Sequence, residues 1–266
     1  MESPFALVTG GSSGIGFAIA TALAKRKFNL VLVSRDMVKL QVARKALEAF
    51  EVRVELLAFD LSTEGAATAI ADWCVANSIS LRILCNVAGI GGAGDYLSLS
   101  LVDTRYMIRL NTDAAVALTY CLLPLLRKSS PAYILNVSSM AGMAPLQAKN
   151  IYSATKSFLL FFSYSLRYQL KADGISVSCL CPGPVFTRPA IQAETVAKLG
   201  WLGNQLAVAV AEVGETAVRQ TLRGKMIIVP GRLAYWVSVL MRMAPANFFN
   251  WLYHALPFHR AADSKG

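Results

Sequence analysis

The sequence predicts a single α/β domain: a doubly wound parallel sheet of about seven strands with helices on both faces. Two observations carry that expectation. Short apolar runs of strand type alternate with helical stretches along most of the chain, the order that builds parallel crossover units. Most of those runs are almost continuously apolar, as strands covered on both faces are. A length of 266 residues is enough to bury one large core.

The expected strands are 5–9 (FALVT), 29–34 (NLVLVS), 52–59, 81–88, 132–138, 175–181 and 225–230. Helical patterns fill the intervals at 14–27, 37–49, 63–78, about 101–128, 152–171 and about 190–222. Right-handed crossovers then place helices on both sides of the sheet. No repeat or low-complexity linker interrupts this order. Composition shifts only after about residue 231, so the expected division is a body of 1–231 and an apolar aromatic tail of 232–266.

Composition narrows the function classes. No apolar stretch reaches the roughly 18 residues of a spanning helix, and no basic and apolar leader precedes the first strand. The five cysteines (Cys74, Cys85, Cys121, Cys179 and Cys181) read as buried thiols of a reducing compartment. The close pair Cys179 and Cys181 is expected to point to opposite faces of its strand. With two histidines, both in the tail, a zinc site is not expected. The net charge is +10, but no dense basic run carries interleaved aromatics, so nucleic acid is not an expected partner. An anionic cofactor and substrate fit that charge equally well.

TGGSSGIG, residues 9–16, follows the first strand and opens the first helix. Glycines at that junction let the backbone approach a pyrophosphate, and the helix N-terminus supplies N–H groups and partial positive charge. Gly10, Ser12, Ser13, Gly14, Ile15 and Gly16 are the expected cofactor contacts of a Rossmann-like domain. A glycine trio alone also serves any tight strand–helix turn.

The second strand ends in VSRD, residues 33–36, where a dinucleotide fold meets the adenosine ribose. Ser34 and Arg35 suit a 2′-phosphate, because a guanidinium forks onto phosphate oxygens. Asp36 has two readings: a ribose-binding acid, or the N-cap of the next helix. The cap is favoured, and with it NADP(H) over NAD(H).

YSATK, residues 152–156, sets Tyr152 and Lys156 at i and i+4, on one helix face. Such a pair is usually a solvated helix edge. A phenol titrates near pH 10, and a neighbouring ammonium is expected to lower it. Tyr152 then becomes a candidate proton donor and acceptor.

Taken in order, these segments resemble the short-chain dehydrogenase/reductase family over about residues 5–187. TGGSSGIG is similar to its cofactor loop and YSATK to its Y-x-x-x-K centre. NVAG (86–89) resembles its N-N-A-G motif, with Val87 replacing the second Asn. CPGPVFT (181–187) resembles its nicotinamide segment. The resemblance implies a catalytic tetrad of Asn111, Ser139, Tyr152 and Lys156. Ser139 is selected over Ser138 by the family's usual offset from the tyrosine, and Ser138 is expected to satisfy nearby backbone. Asn111 would hold a water linking Lys156 to solvent, and Lys156 would also reach the nicotinamide ribose. Asp60 and Leu61 would flank adenine, and Asn86, Ala88 and Gly89 would line the riboses. Pro182, Gly183, Val185 and Thr187 would hold the nicotinamide.

The implied activity is NADP(H)-dependent hydride transfer between the nicotinamide and a ketone or secondary alcohol. The expected substrate is an apolar carbonyl, such as a 3-oxoacyl thioester or a steroid-like ketone, covered by residues 188–222. The family also implies a homodimer or homotetramer built from helices 101–128 and 152–171, in the cytoplasm. A cofactor-binding sensor, or a membrane-surface protein without turnover, is the alternative. The tail segment 233–258 holds seven aromatics and one formal charge, Arg242, and is broken by Pro245. Packing on the body or on a second subunit is expected of it, with peripheral membrane contact as the competing reading.

Overall fold

The computed structural model describes residues 3–92, 96–146, 149–185, 208–245 and 248. Seven strands form one sheet: β1 (Phe5–Thr9), β2 (Asn29–Ser34), β3 (Val54–Ala58), β4 (Leu81–Asn86), β5 (Ala132–Val137), β6 (Ile175–Leu180) and β7 (Ile227–Ile228). Their order is β3-β2-β1-β4-β5-β6-β7, and every pairing is parallel. The direction of winding reverses between β1 and β4. A ligand crevice therefore belongs at their C-terminal ends. The strands shortest against expectation are the edges: β7 pairs with β6 through two residues. A short edge offers little unpaired backbone to other chains.

The helices are α1 (Gly14–Ala24), α2 (Met37–Leu47), α3 (Ala66–Ala76), α4 (Leu101–Ile108), α5 (Ala114–Lys128), α6 (Asn150–Gln169), α7 (Val210–Leu222) and α8 (Arg232–Met243). The single long helix expected over 101–128 is two helices joined by a π turn, Arg109–Asp113. Its wider loop admits one extra residue and leaves Leu110 and Asn111 buried.

Strand alternation divides the core. Leu7, Val31 and Leu84 face Leu118, Leu122 and Leu166 of α5 and α6. Val8, Leu32 and Leu135 face Ile19, Leu23, Leu40 and Val213 of α1, α2 and α7. Helix α7 lies against α1 at Gly214, where a Cβ would come within 2.5 Å of the Ala18 carbonyl. Arg26 and Glu215 pair across the same contact. Of the stretch expected to cover substrate, 188–207 lies outside the described residues.

A third cluster joins Met140, Leu160, Cys179, Cys181, Val229 and Ala234 and seats α8 on the body. Cys179 and Cys181 correct the expectation of opposite faces: their sulfurs lie 3.8 Å apart. Residues two apart on a strand share a face.

Candidate active site

The glycine turn is held by its own geometry. Gly10 has φ +64°, a conformation that costs glycine little. At Gly16 a Cβ would stand 2.2 Å from the Gly10 carbonyl oxygen, so no side chain fits there. Thr9 then ties this turn to the loop after β4. Its hydroxyl accepts from the N–H groups of Val87 at 2.8 Å and Ala88 at 2.9 Å. Sequence reasoning gave Thr9 no role, although it heads the glycine motif.

Ser13, at the N-cap of α1, makes no side-chain cap bond, and no acid stands in the first turn. The amides of that turn are thus open to an anion. Helix α2 is different: Asp36 accepts from the Lys39 N–H at 3.1 Å and pairs with its ammonium at 3.1 Å. Those bonds hold the Asp36 carboxyl below its ordinary value. The cap reading of Asp36 is what the structure places.

Ser12 donates to Ser34 at 3.0 Å, joining the glycine turn to the end of β2. Arg35 donates to the Tyr106 hydroxyl at 2.5 Å and lies 5.6 Å from the centre of that ring. Burial, then the nearby Asp60 carboxylate, push the Tyr106 phenol above its usual value, against the opposing pull of Arg35. Asp60 itself accepts from the N–H and hydroxyl of Ser62 at 2.9 and 2.7 Å, and Leu61 is buried beside it. Tyr106 is a second residue the sequence did not flag. It lies on a helix far along the chain, with no motif around it.

The Asn86 side chain points into the fold. It donates to Thr119 at 3.2 Å and to Asn136 at 2.9 Å, and Asn136 continues to Ser163 at 2.9 Å. Any part Asn86 takes at a ribose falls to its main chain. Ala88 and Gly89 border the cleft more closely. A Cβ on Gly89 would lie 2.9 Å from Asn111 Oδ1 and 3.3 Å from Lys156 Nζ.

Asn111 is a buried clamp. It accepts from Ile90 N–H at 2.9 Å, donates to Ile90 O at 2.9 Å, and donates to Thr155 Oγ1 at 3.1 Å. Thr155 in turn donates to Tyr152 O at 2.8 Å. The loop after β4 and helix α6 are therefore linked through one side chain of the π turn.

Lys156 is buried, and its ammonium donates to Val137 O at 2.9 Å, 5.8 Å from the centre of the Tyr152 ring. Burial lowers its pKa to about 8. Ser138 donates to Lys156 O at 2.6 Å, the backbone role expected of it. Ser139 accepts from Ala141 N–H at 3.1 Å and is near enough to favour the Tyr152 phenolate. The Tyr152 phenol is not lowered, as expected from Lys156, but raised. Burial penalises the phenolate more than the neighbouring Ser139 hydroxyl favours it.

Pro182 O accepts from Met140 N–H at 3.0 Å, which ties the serine turn to the segment of Pro182, Gly183 and Val185. Val185 packs on the core. Thr187 lies outside the described residues.

The residues present fit a dinucleotide. An uncapped helix N-terminus, a glycine turn with no room for a side chain, and a half-buried Tyr152 and Ser139 beside the buried Lys156 lie at the C-terminal side of β1, β4, β5 and β2. Fold and site together define an oxidoreductase that uses a nicotinamide cofactor on a carbonyl or alcohol.

Known proteins agree. Residues 4–198 match the family model for short chain dehydrogenase. The very-long-chain 3-oxoacyl-CoA reductase of Macaca fascicularis is 32% identical over 256 residues, 94% of this chain and 77% of that protein. The mouse protein of the same name is 36% identical over 200 residues, 73% of this chain, and the match spans 64% of its length. Among solved structures, a short-chain dehydrogenase from Sphingobium yanoikuyae in complex with NADPH superposes with TM-score 0.77 at 29% identity, covering 98% of this chain and 99% of that one. A bulky-bulky ketone specific alcohol dehydrogenase from Comamonas testosteroni gives 0.74 at 27% identity, with 96% and 92% covered. The chain belongs to the short-chain dehydrogenase/reductase family.

Proposed function

We propose that this protein reduces the carbonyl of an apolar ketone or 3-oxoacyl thioester with NADPH, or runs the reverse oxidation. One observation carries the reading: the Tyr152 ring centre lies 5.8 Å from the ammonium of a buried lysine that Val137 O anchors. A phenol with a raised pKa is protonated at neutral pH. It therefore holds the proton that a carbonyl oxygen takes up on reduction.

The bound nicotinamide would supply or take the hydride; the remaining work belongs to the chain. Tyr152 Oη gives its proton to the substrate oxygen, completing the alcohol. Ser139 Oγ donates to the same oxygen as negative charge develops. The Lys156 ammonium replenishes the Tyr152 proton and reaches toward a ribose hydroxyl. Asn111 fixes the loop at Ile90 against α6 and keeps that relay in register.

Arg35 and Ser34 would hold the 2′-phosphate of NADP(H), and Asp36, committed to its cap, does not oppose it. The named relatives support the substrate class, because the macaque and mouse proteins are 3-oxoacyl-CoA reductases by name. Assembly through α5 and α6 is supported by the outward Tyr120, Phe161 and Tyr168, which a second copy would cover. A cytoplasmic setting is proposed for the body.

The deciding experiment follows NADPH absorbance with 3-oxoacyl thioesters of increasing chain length and with bulky ketones. Turnover that improves with apolar length is expected. Tight NADPH binding with no turnover on any carbonyl would sink the reading in favour of a sensor.

A further inference from the structure

We infer that the outer face of α8 is a docking surface for an anionic lipid bilayer, which the helix meets lying flat. The helix has two apolar faces. One is occupied: Ala234 and Ser238 are buried on the third core cluster, with Val237 and Met241 packed beside them. The other is bare. Leu233, Trp236, Leu240 and Met243 are 42%, 65%, 67% and 79% exposed. Their spacing of three, four and three residues sets them in one stripe along the helix. Twelve residues span only about 18 Å, too short to cross a bilayer but long enough to lie in its interface. Among the described residues, no helix is long and apolar enough to cross a membrane.

Charge decides the occupant. Between residues 216 and 262 the sequence holds no Asp or Glu, while Arg223, Lys225, Arg232 and Arg242 are all exposed. Two copies of such a face would repel each other, so a homotypic contact through it is disfavoured. Apart from the Trp236 indole N–H, the stripe offers no side-chain hydrogen-bond donor, whereas a specific protein partner needs polar groups at its rim. Acyl chains ask for none, and anionic headgroups match the flanking cations. Trp236, edge-on to Tyr235 at 5.5 Å between ring centres, suits the boundary between acyl chain and headgroup. The inference does not depend on the proposed reaction.

The test is co-sedimentation of the full chain with vesicles of phosphatidylcholine alone and of phosphatidylcholine mixed with phosphatidylserine. Wild type should pellet with the mixed vesicles, and added salt should weaken the binding. Trp236→Glu and Leu240→Glu should each weaken it by about tenfold or more, the cost of keeping one large apolar side chain in water. Arg232→Gln with Arg242→Gln should weaken binding to the anionic vesicles alone. Thermal melting and NADPH binding establish that each variant is folded. Three results would overturn the inference: no pelleting of wild type, equal pelleting of wild type and stripe variants, or a self-associated wild type that the stripe variants make monomeric.

Discussion

Arg35 and Tyr106, 71 residues apart in the chain, meet at 2.5 Å on the rim of the nucleotide cleft. Arg35 is thus spoken for before any cofactor arrives. A 2′-phosphate has to draw it from the phenol, and a charge-assisted fork is the stronger bond. Arg35→Ala should therefore raise the Kd for NADPH by about 10- to 100-fold and leave NADH nearly unchanged. Equal losses for both cofactors would overturn the NADP(H) assignment. Tyr106→Phe frees the guanidinium, so NADPH should bind as tightly as before or tighter. A loss like that of Arg35→Ala would make Tyr106 a cofactor contact in its own right.

Tyr152→Phe keeps the ring between Lys156 and Ser139 and removes the proton. Carbonyl reduction should fall by at least about a hundredfold, while NADPH binding measured by fluorescence titration stays close to wild type. Retained turnover would refute Tyr152 as the acid.

The two serines divide their work. Ser138 bonds Lys156 O inside the fold, so Ser138→Ala should cost about 1 kcal/mol of stability and little of kcat. Ser139 meets Tyr152, so Ser139→Ala should lower kcat strongly with little change in Tm. The reverse order in paired kinetic and melting measurements would mean that the roles are exchanged.

Lys156 makes stability depend on pH in a defined window. Unfolded, it titrates near 10.5; folded, at about 8. Between those values the unfolded chain binds more protons than the folded one, so stability rises with pH across the window. Below it the whole cost of burying the ammonium is present. The lysine accounts for about 3 kcal/mol of that rise. Lys156→Met should abolish its share. Urea midpoints of wild type and variant at about pH 7 and about pH 10 read the difference; parallel changes in both would show that Lys156 does not titrate there.

Thr9 accepts from two amides at once. Thr9→Val preserves shape but strands both N–H groups, which should cost about 1–3 kcal/mol and weaken NADPH binding, since the glycine turn loses its tie to Val87 and Ala88. Unchanged affinity together with lost stability would confine Thr9 to a structural role.

The sheet was legible because burial on both faces writes itself as unbroken apolar runs: β1 and β2 begin and end where those runs do. Spacing alone put Tyr152 and Lys156 on one helix face; Ser139 and Asn111 were added by the family resemblance, and the structure sets Asn111 Oδ1 and Lys156 Nζ on either side of Gly89. What spacing cannot carry is contact between distant segments. Tyr106 and Thr9 act through partners tens of residues away, and no local pattern marks them. The direction of the Tyr152 shift was hidden for a related reason. Proximity to an ammonium can be read from i and i+4, whereas the depth of burial belongs to the whole fold.

The π turn Arg109–Asp113 keeps α4 and α5 out of phase with each other. On α4, Tyr106 is directed to the nucleotide rim; on α5, Leu118 and Leu122 are directed to the sheet. Removing one residue between them would rotate one helix against the other by about 100°, and one of those two faces would be misdirected. At this place the chain is constrained in length more than in identity: a substitution at Thr112 leaves the phase intact, while a deletion there breaks the rim or the core.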